Sequence, residues 1–572
     1  MKITDVRRLT GTSFLLNRPG AAAEVTLPPE KAALFVSLWR QEMACLLSEL
    51  AWSGEELAAR LHDLGASLAM TAPVDGLYVA CDMIEWGCEA ARTRLQGNAP
   101  DGFEKTVAEF QQAIAKDHNP ALRDLTIAAA RHRVSLLEED GVVSLGLGVR
   151  SQRFALGDLP LADQVDWQGI GDIPVAMVTG TNGKSTTVRL TAAIGRAAGH
   201  SVGLCSSDWV RVGDEIVDEG DYSGPAGATM AARDPRVELA VLEVARGGLM
   251  RRGLAIERAK ACAITNIAPD HLGTYGITDV DALADAKFLL SKAVVPEGRL
   301  ILNRDDPALV RRSAGFDGSI TWYGMTLSRS DLAGWIAAGQ EAVFVEDGHM
   351  VLAKGGDCHP VLAIDDFPAG MKGAARYNVS NALAAIGLAA ALELPLTAMA
   401  KGLAEFENSP AENPGRGNLV EVGGLSVLVD FAHNPHGLAA LIETYNALPA
   451  ERRIYLIGQA GDRRDEDIRE LTRIVWQERP EMIVIKDLPT KLRGRQLGEV
   501  PALIEAELRD GGASPEAYVH AGTELEGVRQ SLRLAREGDL LILLVHVERK
   551  ETMALMGRLA EVGWKAGEPL PE

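Results

Sequence analysis

A glycine-rich run in this chain reads Val178-Thr179-Gly180-Thr181-Asn182-Gly183-Lys184-Ser185-Thr186-Thr187. It lies between an apolar, strand-like segment at 173–177 and a helix-like segment at 188–198. Glycines let the backbone turn so that several N–H groups face one anion, and the N-terminus of the following helix adds positive potential. The lysine supplies a cation, and the hydroxyl beside it can hold Mg²⁺. The run therefore predicts a phosphate-binding loop for ATP and Mg²⁺ in an α/β sheet.

The candidate nucleotide-binding residues of this loop are Gly180, Thr181, Asn182, Gly183, Lys184, Ser185 and Thr186. Lys184 is also a candidate catalytic residue, and Ser185 a candidate metal ligand. The general phosphate-loop pattern begins with glycine, whereas this chain has Val178 there. The match is therefore to the variant Thr-Gly-Thr-Asn-Gly-Lys followed by Ser or Thr.

Length and charge exclude several classes of protein. The 572 residues are enough for three or four domains, and 58 Lys and Arg against 79 Asp and Glu give a formal net charge of −21. Such a charge repels polyanions, which argues against nucleic acid as the main partner. No apolar run is long enough to span a bilayer, and the N-terminus lacks the layout of a secretory signal. We expect a cytoplasmic protein without a membrane partner, whose six cysteines are reduced.

Strand-like and helix-like segments alternate along most of the chain. Strands predicted at 173–178, 238–244, 261–266 and 299–303 indicate a parallel sheet with helices on both faces, and the phosphate loop follows the first of them. A less regular insertion is expected at about 315–368, followed by a helix at 378–394. A second alternating unit has predicted strands at 425–431, 453–458, 481–486 and 540–546.

These patterns predict an α/β fold of three parts. A central doubly wound domain carries the phosphate loop at 166–410, and a C-terminal Rossmann-like domain covers 411–572. An extra α+β domain precedes them at 1–165 and includes a predicted helix from Pro29 to Ala51. The chemistry of this N-terminal part is not apparent from its residues.

Two polar positions follow predicted strands of the central sheet. Glu243 ends the strand at 238–244, and His271 follows the strand at 261–266. Ligands of open α/β sheets bind outside the carboxyl ends of the strands, and Mg²⁺ takes few protein ligands beside phosphate and water. The placement favours a metal site, although a helix cap for Glu243 and a surface position for His271 are the ordinary alternatives.

Further candidates lie on later segments. Lys287 falls on a helical stretch, where a lysine is ordinarily solvated. Arg416 is a candidate for bridging phosphoryl charge, and Asp430 ends a strand where it can meet a nucleotide. His433 and Asn434 precede Pro435 and are candidates for substrate contact. The Asn-Pro sequence is equally typical of a turn before a helix.

The run Gly461-Asp462-Arg463-Arg464-Asp465 follows another apolar strand. Its alternating charges are compatible with a solvated loop. The strand-loop-helix placement favours contact of Asp462 and Arg463 with substrate or nucleotide.

Taken in order, these segments resemble the Mur ligase superfamily from about 173 to 548. The motifs that carry the resemblance are the phosphate loop, Thr265-Asn266-Ile267 with Asp270-His271-Leu272, Leu302-Asn303-Arg304-Asp305-Asp306-Pro307, Pro414-Gly415-Arg416, and Asp430-Phe431-Ala432-His433-Asn434-Pro435. Within it, the ligase half of the cyanophycin synthetase family is similar at Asp221-Tyr222-Ser223-Gly224-Pro225, Glu243-Val244-Ala245-Arg246-Gly247-Gly248, Arg376-Tyr377-Asn378 and Gly461 to Leu471.

The resemblance implies roles for individual residues. Lys184 and Ser185 would bind phosphates and Mg²⁺, and Glu243 and His271 would hold metal. Lys287 falls where many Mur ligases carry a carbamylated lysine, which is an anionic metal ligand. Asn303 would contact the adenine side of the nucleotide, and Arg416 and Asp430 would bind ATP from the last domain. Lys184, His271, Lys287 and Arg416 are the predicted catalytic residues, and the predicted substrate contacts are His433, Asn434, Asp462 and Arg463.

The N-terminal part resembles the cyanophycin synthetase family weakly. The segment 144–154 is similar to the start of that family's ATP-grasp module, yet only about twenty residues separate it from the strand at 173. An ATP-grasp domain needs on the order of a hundred residues or more. We therefore expect a chain that lacks this module and relies on a separately encoded ATP-grasp partner for that step.

Three hypotheses for function remain at this stage. The first is an ATP-dependent ligase that joins an amino acid, arginine-like or other, to an acidic peptide or amino acid through an acyl phosphate. The second is a catalytically idle ATP-binding scaffold or a partner subunit of a separate ATP-grasp ligase, and the third is a muramyl-type or folate-type amino acid ligase. A homo-oligomer is the default assembly for any of them.

Overall fold

The computed structural model describes residues 1–571. The chain divides into two compact units. The first consists of residues 1–267, 272–361 and 381–402, and the second of residues 268–271, 362–380 and the described residues from 403 onward. The predicted boundaries at 165 and 410 are a finer division and stay a prediction.

The N-terminal part of the first unit is an antiparallel sheet covered by helices. Its elements are β1 (Lys2–Leu9), β2 (Gly20–Thr26), α1 (Pro29–Glu49), β3 (Leu57–His62), β4 (Gly65–Thr71), α2 (Leu77–Leu95) and α3 (Phe103–Asp117). The strand order is β1-β2-β4-β3. Helix α1 begins at the predicted proline, and it buries Phe35, Trp39 and Met43 because side chains four residues apart share one helix face.

A small sheet follows before the phosphate loop. The sheet has three antiparallel strands, β5 (Leu136–Glu139), β6 (Val142–Leu145) and β7 (Gln152–Ala155). The helix α4 (Pro120–His132) precedes it in sequence. Buried residues of the helix and the sheet, among them Leu125 and Leu145, form a separate small core.

The central sheet has eleven strands in the order β11-β10-β9-β12-β8-β13-β14-β15-β16-β17-β18. The elements are β8 (Val175–Thr179), α5 (Lys184–Ala197), β9 (Val202–Cys205), β10 (Trp209–Val212), β11 (Glu215–Glu219), α6 (Pro225–Ala232), β12 (Leu239–Glu243), α7 (Arg246–Arg252), β13 (Ala259–Ile264), α8 (Val280–Phe288), β14 (Val294–Asn303), α9 (Pro307–Ser313), β15 (Ser319–Gly324), α10 (Ala333–Ala337), β16 (Ala342–Glu346), β17 (His349–Lys354), β18 (Asp357–Ala363), α11 (Arg376–Ala391) and α12 (Leu396–Ala404).

The predicted parallel sheet is confirmed. Strands β9, β12, β8, β13, β14, β15 and β16 are parallel. At the margins, β10 is antiparallel to β9, β11 is antiparallel to β10, and β17 is antiparallel to β16. Strand β8 is central, since Met177 pairs with Leu242 on one side and with Cys262 on the other.

One expectation about the central sheet is wrong. The segment 315–368 is not a less regular insertion, because β15 to β18 lie there and extend the sheet. These strands are five to seven residues long, too short for a clear alternation. A sequence signal exists for two of them, because Asp347-Gly348 between β16 and β17 is a typical two-residue hairpin turn.

The second unit contains a mostly parallel sheet of six strands in the order β19-β20-β24-β21-β22-β23. Its elements are β19 (Asn418–Val422), β20 (Leu425–Asp430), α13 (Pro435–Asn446), β21 (Arg453–Ile457), α14 (Asp465–Gln477), β22 (Met482–Lys486), α15 (Glu499–Asp510), β23 (Tyr518–Ala521), α16 (Glu524–Leu534), β24 (Leu540–Leu544) and α17 (Arg549–Glu561). Only β19 is antiparallel to its neighbour. The predicted Rossmann-like unit is confirmed.

All six cysteines are unpaired thiols within the described chain, and three of them, Cys88, Cys205 and Cys262, are buried. Within residues 1–571, no helix combines the length and the apolar character needed to cross a bilayer.

Candidate functional site

The glycine-rich loop connects the central strand β8 to helix α5, which begins at Lys184. Gly180 and Gly183 have positive φ values of 144° and 84°. A Cβ atom on Gly180 would overlap the Thr265 hydroxyl, and one on Gly183 would overlap the Asn381 amide oxygen. Both positions therefore require glycine for conformation and for space. Lys184 Nζ donates to the Thr181 carbonyl at 2.9 Å.

Thr265 and Asn266, which follow β13, clasp the phosphate loop, that is, they hold it by hydrogen bonds in both directions. The Thr181 and Asn182 amides donate to the backbone and side-chain oxygens of Asn266 at 2.8 and 2.9 Å. Thr265 Oγ1 and Asn266 Nδ2 donate in return to the Asn182 carbonyl at 2.6 and 3.0 Å. These bonds hold the loop in one conformation. The motif Thr265-Asn266 was visible in the sequence, but this clasping role was not.

The predicted metal ligand Ser185 lies in the first turn of α5 and is buried. Its hydroxyl is 3.3 Å from the Ser207 hydroxyl, which donates to Asp208. Asp208 forms an ion pair of 2.5 Å with the buried Arg189, one helical turn further along α5. Ser207 and Asp208 carry no recognised motif, and only the fold brings them beside the loop. Thr186 is also buried on α5.

Glu243 ends β12, where it pairs in register with Val178 of β8. Its side chain is only 2 % exposed, and its Oε2 has no hydrogen-bond partner among residues 1–571. A buried carboxylate oxygen without a partner is costly unless a cation or a donor from a ligand reaches it. Glu243 therefore fits a ligand-binding role better than an ordinary helix cap or ion pair.

Lys287 lies on α8 and is 4 % exposed. Its Nζ donates to the Gly180 carbonyl at 2.7 Å, which places the amine directly at the phosphate loop. Asn303 ends β14, and its amide donates to the Thr265 carbonyl at 3.0 Å. Asn303 thus supports the residue that clasps the loop, and its contact with adenine stays a prediction.

The second unit contains the remaining candidates. Asp430 ends β20 and is buried, and burial raises its pKa to about 6, against the Arg416 charge and several backbone N–H groups. The Arg416 guanidinium lies 4.7 Å from the centre of the Phe431 ring. Two predicted residues therefore lie together at the carboxyl end of one strand.

Asn434 caps helix α13. Its side-chain oxygen accepts from the Gly437 amide at 2.8 Å. Asn434 therefore has the structural role of ending the turn before a helix. His433 Nδ1 lies 3.0 Å from the Phe431 carbonyl, and its Nε2 lies 3.7 Å from Asp270. Contacts of His433 and Asn434 with a substrate stay predictions.

A network of charges surrounds Asp270. Arg463 forms an ion pair with Asp270, and Arg493 forms one with Asp462. His271 Nδ1 lies 3.8 Å from Asp462. Burial would raise the pKa of Asp270, but the neighbouring His433, Arg463 and His271 hold it well below its usual range. Asp270 is thus the centre of a charged cluster that the sequence reading did not single out.

Asp270, His271 and His433 offer ligand atoms that all lie within 4.8 Å of one another. The predicted metal ligands are divided between the units, with Ser185, Glu243 and Lys287 in the first and His271 in the second. The structure therefore brings the phosphate loop, Glu243 and Lys287 together in one unit, and the Asp270 cluster together in the other.

The fold and the phosphate loop define a phosphate-loop α/β protein with a second, Rossmann-like unit. The family model described as Mur ligase middle domain matches residues 178–389, and the model described as Mur ligase, glutamate ligase domain matches residues 415–544. The two models together match more than half of the chain. The chain belongs to the Mur ligase family.

Individual proteins are similar over the same region. Cyanophycin synthetase of Trichormus variabilis is 35 % identical over 375 residues, which are 65 % of this chain and 41 % of that protein. The UDP-N-acetylmuramoyl-L-alanyl-D-glutamate–2,6-diaminopimelate ligase of Gloeobacter violaceus is 28 % identical over 381 residues, 65 % of this chain and 71 % of that protein. A solved structure of FolC from E. coli in complex with DHPP and ADP is 20 % identical, with a TM-score of 0.49, covering 67 % of this chain and 89 % of FolC. The chain thus spans about two fifths of the length of the cyanophycin synthetase it matches.

Proposed function

We propose that this chain is an ATP-dependent amide ligase. It would join the amino group of an amino acid, arginine-like or other, to a carboxylate of an acidic peptide or amino acid. The observation that carries the proposal is the rigidly clasped phosphate loop with Glu243 beside it, whose buried Oε2 has no hydrogen-bond partner among residues 1–571. Membership of the Mur ligase family and similarity to a named ligase and a named synthetase support it.

The proposed reaction has two steps. An oxygen of the substrate carboxylate attacks the γ-phosphorus of ATP, which forms an acyl phosphate and releases ADP. The amine then attacks the acyl carbon, the C–O bond to phosphate breaks, and one proton leaves the nitrogen as the amide forms. The protein contributes mainly by positioning and by stabilising charge, and no nucleophilic side chain is needed.

The first unit supplies the proposed phosphate contacts. The loop amides other than those of Thr181 and Asn182, which donate to Asn266, would bind the phosphates together with the Lys184 ammonium group. Ser185, Glu243 and His271, with Lys287 if carbamylated, would hold Mg²⁺, which neutralises phosphate charge when bound. The buried hydroxyl of Ser185 and the carboxylate of Glu243 are hard oxygen donors and fit this ion.

The second unit supplies the proposed contacts that the resemblance implies. Arg416 and Asp430 would act on the nucleotide, as would Asn303 of the first unit on its adenine side. His433, Asn434, Asp462 and Arg463 would contact the amino acid or the acidic substrate. A separately encoded ATP-grasp ligase and a homo-oligomer are further proposals about its partners, and the cytoplasm is the proposed compartment.

The experiment that tests the function is a measurement of phosphate release from ATP and Mg²⁺ by the purified protein. Amino acids are screened in pairs with acidic peptides, including poly-aspartate, muramyl peptides and folate precursors, and products are weighed by mass spectrometry. Release that requires both members of a pair, with a product one water lighter than their sum, establishes the ligase and identifies its substrates.

Lys184→Ala serves as the inactive variant, and Lys401→Ala is the matched control because Lys401 is exposed on α12. We expect the first to lose turnover by about 100-fold or more and the second to keep it. Turnover that survives Lys184→Ala would remove the loop from the mechanism. ATP binding without product across the whole panel would instead favour the idle scaffold.

A further inference from the structure

The N-terminal sheet contacts a turn that follows the Asp270-His271 motif in sequence. This turn covers residues 272–277 and leads into helix α8, which carries Lys287. Gly273 and Gly276 have φ values of 94° and 65°, and Tyr275 has a φ of 55°. A left-handed backbone is unfavourable for tyrosine, and such conformations persist when the surrounding structure imposes them. The turn therefore needs contacts from outside itself.

Two residues of β3 provide such contacts. Arg60 Nη1 donates to the Gly276 carbonyl at 2.9 Å. The imidazole ring of His62 packs so closely on Gly276 that a Cβ atom there would overlap it. Both side chains therefore act on the same residue, which is buried and has a positive φ.

A residue of β1 contacts the adjoining position of the turn. The Arg7 guanidinium lies 4.8 Å from the centre of the Tyr275 ring, and its Nε donates to the Met250 carbonyl of α7 at 2.9 Å. Helix α7 follows Glu243 after two residues. The N-terminal sheet thus contacts both the turn before α8 and the helix after Glu243.

Two of the contacting side chains, Arg7 and His62, lie beside a buried carboxylate, and the third, Arg60, packs on an aromatic ring. Glu24 accepts from Arg7 Nη2 at 2.7 Å and from Ser67 Oγ at 2.6 Å, and His62 Nε2 lies 3.8 Å away. The Arg60 guanidinium packs 5.2 Å from the centre of the Phe14 ring. Side chains with defined partners lose little further freedom when they contact the turn, so they can impose its conformation.

We propose that the N-terminal sheet is an internal brace for the catalytic loops of the first unit. Arg60 and His62 are positioning residues that hold the turn 272–277, and through it the start of the helix that carries Lys287. The catalytic consequence rests on the proposed function, but the structural role of the brace does not.

The first test uses hydrogen exchange on the full chain without substrates, so its outcome is independent of ligase activity. In Arg60→Ala, amides of residues 273–277 should exchange about fivefold to tenfold faster, as expected for the loss of one hydrogen bond. Strand β8 serves as the internal reference. Arg18→Ala is the matched control, because Arg18 lies in the same N-terminal part and contacts Thr71, Glu55 and Glu56 instead of the turn.

Unchanged exchange in the turn overturns the proposal. Equal acceleration in the turn and in β8 also overturns it, because Arg60 would then act on the stability of the whole unit. Arg60→Lys keeps a donor, and we expect it to restore most of the protection.

A second test keeps Arg60 and examines the contact between His62 and Gly276 with a pair of variants. Gly276→Ala should lower the melting temperature strongly because the new methyl group overlaps His62, and His62→Ala should reduce that effect. If Gly276→Ala lowers the melting temperature equally in the wild type and in His62→Ala, the proposed contact between His62 and Gly276 is contradicted. Where turnover is established, Arg60→Ala should lower kcat with little change in the KM for ATP, and Arg60→Lys should recover it.

Discussion

The side-chain nitrogen of Lys287 lies 2.7 Å from the backbone oxygen of Gly180. These residues are more than a hundred positions apart in sequence, and the contact ties α8 to the phosphate loop. An unmodified amine donates to this carbonyl, whereas a carbamylated lysine would bring negative charge to the same place. The state of this side chain therefore changes the charge next to the loop, where Lys184 and Glu243 also lie.

Carbamylation of Lys287 should make turnover depend on dissolved carbon dioxide, because the carbamate forms reversibly from the amine. In decarbonated buffer we expect phosphate release to fall about tenfold and bicarbonate to restore it. Lys287→Arg, which cannot be carbamylated in this way, should show no response to bicarbonate. If the wild-type protein has equal rates with and without bicarbonate, the role of Lys287 is the hydrogen bond to the Gly180 carbonyl and not carbamylation.

Glu243→Gln should separate activity from stability. Because Oε2 has no hydrogen-bond partner among residues 1–571, removing its charge should leave the melting temperature equal or higher. The apparent affinity for Mg²⁺ in turnover should fall about tenfold or more. Glu238→Gln is the control, since Glu238 is exposed and accepts from the Ser201 amide. A large loss of stability in Glu243→Gln would instead make the carboxylate structural.

Gly180→Ala should damage the loop itself. Its φ of 144° is unfavourable for alanine, and the new methyl group would overlap Thr265. We expect a loss of about 3 kcal/mol in the free energy of unfolding and loss of nucleotide binding. Gly157→Ala is the matched control, since a Cβ there meets nothing within 4 Å. Denaturant unfolding and ATP titration measure both effects, and wild-type behaviour of Gly180→Ala would refute the loop geometry.

Burial of Asp430 should make stability fall as the pH rises. Its pKa in the folded protein is raised to about 6 from its usual value of 3.8, so the folded state binds the proton more tightly than the unfolded state. The contribution of Asp430 is therefore most favourable below pH 3.8 and is lost as the pH rises to about 6. The shift corresponds to about 3 kcal/mol.

Asp430→Asn removes this titration. The difference in free energy of unfolding between the wild type and Asp430→Asn should change by about 2 kcal/mol between pH 4 and pH 7, to the disadvantage of the wild type. Asp163→Asn, at an exposed position, is the control and should show a flat difference. A flat difference for Asp430→Asn as well would mean that water reaches this carboxylate.

The buried pair of Lys486 and Glu524 should show strong coupling. Lys486 is 0 % exposed and forms an ion pair with Glu524, which also accepts from the amides of His546, Val547 and Glu548. Lys486→Met should cost about 3 to 5 kcal/mol, because it leaves a buried carboxylate without its cation. Adding Glu524→Gln should recover part of the loss. Additive effects of the two substitutions in urea unfolding would exclude the coupling.

Most of the central fold could be predicted from the sequence. The strands that end at Thr179, Glu243 and Ile264 are mostly apolar and almost completely buried, as expected in a parallel sheet whose two faces are covered. The strands β15 to β18 escaped prediction because only the short helix α10 lies among them, so the alternation of strands and helices that marks the rest of the sheet is missing there. Helix α5 begins four residues before its predicted start, since Ser185, Thr186 and Thr187 do not show helical periodicity.

The candidate site was predictable in part. The phosphate loop and Glu243 carry local motifs, Lys287 was a candidate only through the family resemblance, and the structure places all three together. Ser207 carries no such signal, and the residues that Asp270 and Asn381 contact come from distant parts of the chain. The bracing of the turn at 272–277 by Arg60 and His62 also depends on contacts between segments about two hundred residues apart.

The amino-acid sequence by itself determined the α/β class, the position of the phosphate loop and the order of the motifs, because hydrophobic periodicity and glycine placement act over a few residues. The tertiary structure decided which side chains meet that loop, which carboxylates are buried and what the N-terminal sheet contacts. These features follow from long-range packing, in which the environment of each group sets its pKa and its partners. That is why Glu243 was a candidate from its motif, while its unpartnered buried oxygen was visible only in the fold.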